Sequence, residues 1–405
     1  MKYNTLDDVT CTGKRVLVRV DFNVPFQDFK VADKTRLKKI KPNLDKILKN
    51  GGKPIIIGHI GRPNGDFDQN LSTKNIISEL EQVLKLKVIF CDTLLGSDAI
   101  NASKGLQPNS ILVLENTRFY SGEENNDPKF SKQLAKLGDL YCNDAFSVCH
   151  RAHATTVGIT KFLPSFAGGL VLEELGALDS ALTTPKKPVT AIIGGSKVST
   201  KIELLQNLIS KVENIIIGGG MANTFLLASG KQIGLSLCEP TLIHIAQDII
   251  EKAEILGCKI HLPNDLVTSK TLDGVNKIRT SDVNSCPPDE MIFDCGEKSL
   301  EKYINVINLS KTIVWNGPLG VFEKEPFHLG TERLAKFIAK KTIDGFLNSV
   351  AGGGDTVAAL NKYQLSQEMS YVSTAGGAFL EWLEGKKLPG LEVLEKKIKL
   401  KESNY

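Results

Sequence analysis

The chain has 405 residues, 41% hydrophobic and 24% charged, an ordinary globular balance with material for about two to three domains. Its 50 basic and 46 acidic residues leave a net charge of only +4, and no Lys/Arg block is interleaved with aromatics, which argues against nucleic acid as a partner. No run approaches the roughly 18 apolar residues of a membrane span. The opening KYNTLDDVT is unlike a signal peptide, and the eight cysteines form no C-x-x-C pair, so buried reduced thiols in a cytoplasmic protein are expected.

Apolar runs at residues 15–20, 54–58, 87–91, 111–114 and 139–142 predict strands, with helical stretches at 36–49, 73–84 and 130–137 between them. A second series of strands is predicted at 189–193, 214–217, 259–262, 291–293, 312–315, 348–351 and 370–373. Helices at 200–210, 241–256 and 331–341 separate them. Many strands are continuous Val/Ile/Leu runs, as in parallel sheets buried on both faces. The predicted class is α/β: two doubly wound, mostly parallel-sheet (Rossmann-like) lobes joined by a helix and hinge. The rhythm breaks at 167–188, where an acidic amphipathic stretch runs into a Pro/Lys-rich stop. That assigns 1–168 to a first lobe, 169–186 to a connecting helix and linker, and 187–387 to a second lobe. The Lys-rich tail EKKIKLKES (395–403) reads as a solvated helix face.

Residue chemistry at the downstream strand ends changes near residue 185. In the first half these ends carry Asp21 and Asn23, His59 and Arg62, Arg118, then His150 and Arg151. In the second half they carry glycine: GGSK (194–197), GGG (218–220), NGP (316–318), GGGDT (352–356) and AGG (375–377). Ligands of open α/β sheets bind beyond the carboxyl ends of the strands. Guanidinium groups suit a small polyanion, and bare amides suit a nucleotide's phosphates. The segregation points to two phosphorylated molecules being brought together.

GGSKVSTK sets Lys197 and Lys201 four apart, which predicts both ammonium groups on one helical face at a helix start. The loop is either a phosphate site or a plain strand-to-helix turn with solvated lysines. It is not a P-loop, and no G-x-G-x-x-G supports a dinucleotide-dependent oxidoreductase. Asp355 and Thr356 follow three glycines; Asp355 either caps a helix or reaches a nucleotide-bound metal. Glu323 takes a ribose hydroxyl or stays solvated. Arg19, on the parity of Leu17 and Asp21, is expected to pair internally with an acid, and Arg36 to open a helix. Cys149 and His150 are neighbours, but adjacent strand residues face opposite ways, which disfavours a nucleophile pair. No candidate base is evident on the arginine rim beyond Asp21 and Asp144. An acceptor carboxylate, already ionised, would need none.

In this order, VDFNVP (20–25), GHIGRP (58–63), LENTRF (114–119), NDAFSVCHRAHA (143–154), GGSKVSTK, GGGMANTF (218–225), WNGPLGVFE (315–323), GGGDT and STAGGAFLE (373–381) closely resemble the phosphoglycerate kinase family, over about residues 14–390. The resemblance implies reversible phosphoryl transfer between 1,3-bisphosphoglycerate and MgADP, giving 3-phosphoglycerate and ATP, in a hinge-bending monomer. It implies that Asp21, Phe22, Asn23, Arg36, His59, Arg62, Arg118 and Arg151 hold the triose. Lys201, Gly296, Glu323, Gly353, Gly354, Asp355 and Thr356 would hold the nucleotide, with Asp355 near Mg²⁺. Arg36 and Lys197, with the amides of Gly354 and Gly377, would steady the phosphoryl group. Residues 388–405 would return to the first lobe. Two departures stand out: GHIGRP lacks the family's usual Ser before His, and STAGGA has Ala375 where a third glycine is usual, a constraint if that position needs positive φ.

Overall fold

The computed structural model describes residues 2–27, 30–273 and 278–396. The chain divides into two compact units, Met1–Glu174 with Lys387–Tyr405, and Leu175–Lys386. The division falls inside the helix Gly169–Leu178.

In the first unit the strands are β1 (Arg15–Arg19), β2 (Phe26–Gln27), β3 (Lys30–Val31), β4 (Lys53–Ile57), β5 (Lys87–Cys91), β6 (Ser110–Leu114), β7 (Leu140–Asn143) and β8 (Ser165–Ala167). β2 and β3 form a small antiparallel pair. The other six make one parallel sheet in the order β5-β6-β4-β1-β7-β8. Val16, Val18, Ile56, Ile111 and Val113 face a core sealed by Leu44 and Ile47 of Lys41–Lys49 and by Leu80 and Leu84 of Ile77–Leu84. These pairs sit three and four residues apart, the spacing of one apolar helical face.

The second unit contains β9 (Val189–Ile193), β10 (Asn214–Ile217), β11 (Lys259–His261), β12 (Asp265–Ser269), β13 (Arg279–Asp282), β14 (Met291–Cys295), β15 (Thr312–Asn316), β16 (Asn348–Gly352) and β17 (Tyr371–Ser373). Its main sheet is again parallel, in the order β11-β10-β9-β15-β16-β17. The predicted fold class holds in both units.

Several elements differ from the sequence reading. The strand expected at 291–293 leaves the main sheet and joins β12 and β13 in a three-stranded antiparallel sheet. β13 reads RTSD, polar and largely exposed, so no apolar run announced it. The single helix expected at 36–49 is two, Thr35–Lys39 and Lys41–Lys49; Pro42 lies in the first turn of the second, where its missing N–H costs nothing. The helix expected at 200–210 begins only at Ile202, after the 3-10 turn Val198–Thr200. At the C-terminal end, Lys396 N donates to Lys2 O (2.8 Å) and Glu395 bridges Tyr3, so Glu395 is not on a helix. Residues 397–405, with most of the Lys-rich tail, lie outside the described residues. Among the described residues no helix is long and apolar enough to cross a membrane.

Candidate active site

Each main sheet has a place where the chain, having built strands outward on one side, crosses to the other. In the first unit it lies between β1 and β7, in the second between β9 and β15. Loops leaving such a pair diverge and open a crevice at the carboxyl ends. Most of the sequence-predicted residues lie on loops beyond the carboxyl ends of the strands of these two sheets.

Around β1 and β7 the loops are tied by charge. Arg36 Nη1 donates to Asp21 Oδ2 (2.7 Å) and Asn23 O (2.9 Å), and Ser147 Oγ donates to the same Asp21 oxygen (2.7 Å). Asn23 Oδ1 accepts from Gly61 N at 3.2 Å, while Arg118 Nη1 donates to Gly61 O at 2.9 Å. Arg118 Nε also pairs with Glu124 at 3.2 Å. Arg151 Nε donates to His150 Nε2 at 3.1 Å. Burial, with the Arg19, Arg118, His153 and Arg151 charges, holds the His59 ring well below its ordinary pKa. Burial and the same arginines lower His153 to about 4. Arg62 is exposed. The structure thus brings Asp21, Asn23, Arg36, His59, Arg118 and Arg151 into one polar cluster.

Phe22 stands apart. Its side chain is fully buried against Gly58, where an added Cβ would lie 2.6 Å from the ring, so only its main chain is available to a ligand. Arg19 meets no acid directly: it donates to Thr155 Oγ1 (3.1 Å), and Thr155 in turn binds Glu123. Asp144 is buried and accepts Leu170 N (2.8 Å) at the start of Gly169–Leu178; burial lifts its pKa to about 7. Cys149 is wholly buried and its thiol is pushed up to about 12, which removes it as a nucleophile.

Around β9 and β15 the walls are main chain. Gly194 N donates to Asn316 O (2.9 Å), and a Cβ on Gly194 would sit 1.9 Å from Pro318 O. Gly219, at φ +69°, similarly abuts Gly195 O. This crowding lets the two loops and the GGG turn enclose a cavity of about 350 Å³. Gly195, Ser196 and Gly218–Gly220 form one wall. Leu237, Pro263, Met291 and Phe293 add apolar surface, and Pro318–Glu323 with Asp355 close the rim. Such a slot, apolar with a few polar groups at its mouth, suits a planar base.

Beside the cavity, Gly353 (φ +95°) caps the helix Gly354–Lys362, whose first amides have no partner within the helix. A Cβ on Gly353 would strike Asn316 Nδ2 at 2.3 Å. Thr356 is buried, its hydroxyl accepts from Gly317 N (2.7 Å), and its amide lies in the first turn without a partner in the helix. Lys197 and Lys201 do not share a helical face: they flank the turn Val198–Thr200. Lys197 is exposed, whereas Lys201 Nζ reaches Asn316 Oδ1. Burial lowers the Lys201 pKa, opposed by Glu384 and Asp355. Gly296 lies behind the wall, its N donating to Asp265 O (3.0 Å), with a Cβ there only 2.2 Å from Asp265 Oδ2. In the AGG turn the positive φ falls on Gly376 (+57°) and not on Ala375, so the alanine meets no strain.

The family model described as Phosphoglycerate kinase matches residues 6–386. A phosphoglycerate kinase of Zymomonas mobilis is 50% identical over 396 residues, 98% of this chain and 100% of its own. One of Cereibacter sphaeroides is 49% identical over 395 residues, 97% of this chain and 100% of its own. The solved structure of phosphoglycerate kinase from Coxiella burnetii superposes with a TM-score of 0.89 at 40% identity, covering 97% of this chain and 98% of that one. The chain belongs to the phosphoglycerate kinase family. It is a glycolytic phosphotransferase, and enzymes of this family act on 3-phosphoglycerate and ATP or ADP.

Within that phosphoglycerate kinase frame, sequence reading missed two groups. Asn316 was seen only as part of NGP, yet it joins Lys201 to Gly352 O (2.8 Å) and so couples three loops. The apolar slot residues Leu237, Pro263, Met291 and Phe293 come from segments with no shared signal. A hint lay in Leu235 and Leu237, two leucines in a glycine-flanked loop that remain 65% and 53% exposed.

Proposed function

We propose that the chain transfers the acyl phosphate of 1,3-bisphosphoglycerate to MgADP, reversibly, with the triose on the cationic cluster of the first unit and the nucleotide in the cavity of the second. The observation that carries this is how the carboxylates beside the cluster are used. Asp21 is committed to Arg36 and Ser147, Glu124 to Arg118 and Glu123 to Thr155, while Asp144, bonded through Oδ1 to the Leu170 amide, is shut away from solvent with its Oδ2 unpartnered. A hydroxyl acceptor would need a general base there; an ionised carboxylate acceptor needs only cations that hold spread charge.

Arg36, His59, Arg62, Arg118 and Arg151, with Asn23 and the Phe22 main chain, hold the triose by its carboxylate and phosphate, and Asp21 accepts from its hydroxyl. The cavity takes the base, Glu323 the ribose, and Lys201 with the Gly353–Thr356 amides the phosphates, Gly296 supporting the wall from behind. Arg36 and Lys197, with the amides of Gly354 and Gly377, steady the phosphoryl group between donor and acceptor. Because the two substrates rest on different units, closure about a hinge must join them and exclude water that would hydrolyse the acyl phosphate. Among the described residues no three ligating side chains gather; of the two exposed carboxylates at the cavity rim, Glu323 goes to the ribose, which leaves Asp355 for Mg²⁺. One carboxylate plus phosphate oxygens is an arrangement this ion favours, and when bound it neutralises charge on those oxygens. A cytoplasmic monomer agrees with the thiol content and the balanced charge. A coupled assay with 3-phosphoglycerate and MgATP tests the reading: turnover is expected, and none with glycerate lacking the phosphate. Equal rates with both would remove the cationic cluster from substrate binding.

A further inference from the structure

Behind the triose cluster lies a carboxylate that the reaction itself does not call for. Glu123, at the end of β6's loop in the short helix Ser121–Glu124, is 1% exposed. Its Oε2 accepts from Thr155 N at 2.9 Å, and its Oε1 accepts from the Thr155 hydroxyl. That hydroxyl accepts from Arg19 Nε at 3.1 Å, and Arg19 Nη2 lies 2.7 Å from His59 Nδ1.

The direction of every bond in this chain is forced. A guanidinium has donors and no acceptor, so His59 Nδ1 must present a lone pair. Thr155, already accepting from Arg19, has one proton to give and gives it to a carboxylate. His59, held neutral by burial, therefore carries its proton on Nε2. We propose that Glu123 is a positioning residue of the triose site: through Thr155 and Arg19 it locks His59 as the Nε2–H tautomer, a neutral donor to anionic substrate oxygens. This rests on the reading that His59 faces the triose.

A carboxylate needed only to balance Arg19 would bind it directly, since a bidentate Arg–carboxylate pair is the stronger contact. Here a hydroxyl is interposed, and the Arg19 fork divides among Thr155, the Val20 carbonyl and His59. The interposed residue is itself held: Tyr141 Oη donates to Thr155 O at 2.5 Å, and Ala154 N donates to Glu123 O at 2.9 Å. The other groups near the relay are His153, whose Nδ1 is 3.9 Å from Glu123 Oε1, and the Arg118 and Arg151 charges. Burial raises the Glu123 pKa, opposed by Arg19 and by both Thr155 bonds.

The test is nitrogen-15 NMR of the ligand-free enzyme at neutral pH, with His59 signals assigned by their absence in His59→Gln. The wild type should show a protonated Nε2 and a bare Nδ1. In Glu123→Gln and in Thr155→Val the two shifts should move toward each other as tautomers mix. KM for 3-phosphoglycerate should rise about tenfold, the scale set by losing an outer hydrogen-bond partner, with KM for ATP unchanged. Thr155→Ser should restore both readouts. Should Glu123→Gln fail to fold, the near-isosteric Thr155→Val carries the test alone. An Nδ1–H tautomer in the wild type, unaltered shifts in the variants, or altered shifts without a change in triose KM would each overturn the proposal. His59→Ala separates the underlying reading: an unchanged triose KM there would remove His59 from the substrate, whatever its tautomer.

Discussion

The crevice of the first unit is made of side chains and that of the second of main chain, and the two are stabilised by opposite means. Cations gathered at β1 and β7 repel one another and lose solvation, so each needs an oxygen: Arg36 has Asp21, Arg118 has Glu124 and Gly61 O, and Arg19 has Thr155 and the Val20 carbonyl. Burial, and then the neighbouring guanidinium charges, hold the His59 and His153 rings below their ordinary pKa. At β9 and β15 the cost is steric. Loops approach until a single Cβ would collide, so glycine is required at Gly194 and Gly317; the exposed carboxylates, Glu323 and Asp355, sit at the rim, and the other lining carboxyl, Asp294, is buried. 3-Phosphoglycerate is small and carries two anionic groups, a carboxylate and a phosphate, for which a few strong groups suffice. A nucleotide presents a long apolar face and phosphates that many weak amides can share.

This contrast can be broken from either side. Arg36→Ala should have the largest effect, lowering kcat on the order of 10²-fold or more while nucleotide affinity is spared. A near-normal kcat would take Arg36 out of the transfer step, leaving it a tether for Asp21. Gly194→Ala should act on the fold and the cavity together. The methyl group forces Pro318 away, which costs about 1–3 kcal/mol of stability by overpacking, readable in denaturant melts, and should weaken ADP binding without altering triose KM. Unchanged stability would mean the loops yield freely. Asp355→Ala should be the mildest, weakening ADP roughly tenfold (~1.4 kcal/mol) in calorimetry with Mg²⁺. The loss should vanish when Mg²⁺ is replaced by EDTA; a loss that persists would assign Asp355 to the helix start instead.

Much of this division was visible in the chain itself. Strand-end chemistry changes from Arg/His to glycine near residue 185, and that change needs no structure to see. The polar sheet segment β13 was invisible because a largely exposed RTSD carries no apolar period. Lys197 and Lys201 were expected on one helical face because i,i+4 spacing implies it; a 3-10 turn between them cancels the inference. Phe22 sits between Asp21 and Asn23 of the polar cluster, and only packing against Gly58 shows that its ring turns inward.

Composition and local pattern alone determined the α/β alternation, the two-part division and the residue types at each strand end, since hydrophobic period and turn chemistry are properties of neighbouring residues. Strand order was decided elsewhere. That β1 lies beside β7, with Val16 paired to Leu140 124 positions later, rather than beside β2, depends on how helices cover each face. The same holds for the Glu123–Thr155–Arg19–His59 relay, whose members span four separate segments. Hydrogen bonds between such distant segments exist only once the sheet has brought their loops to one edge, and no spacing along the chain encodes them.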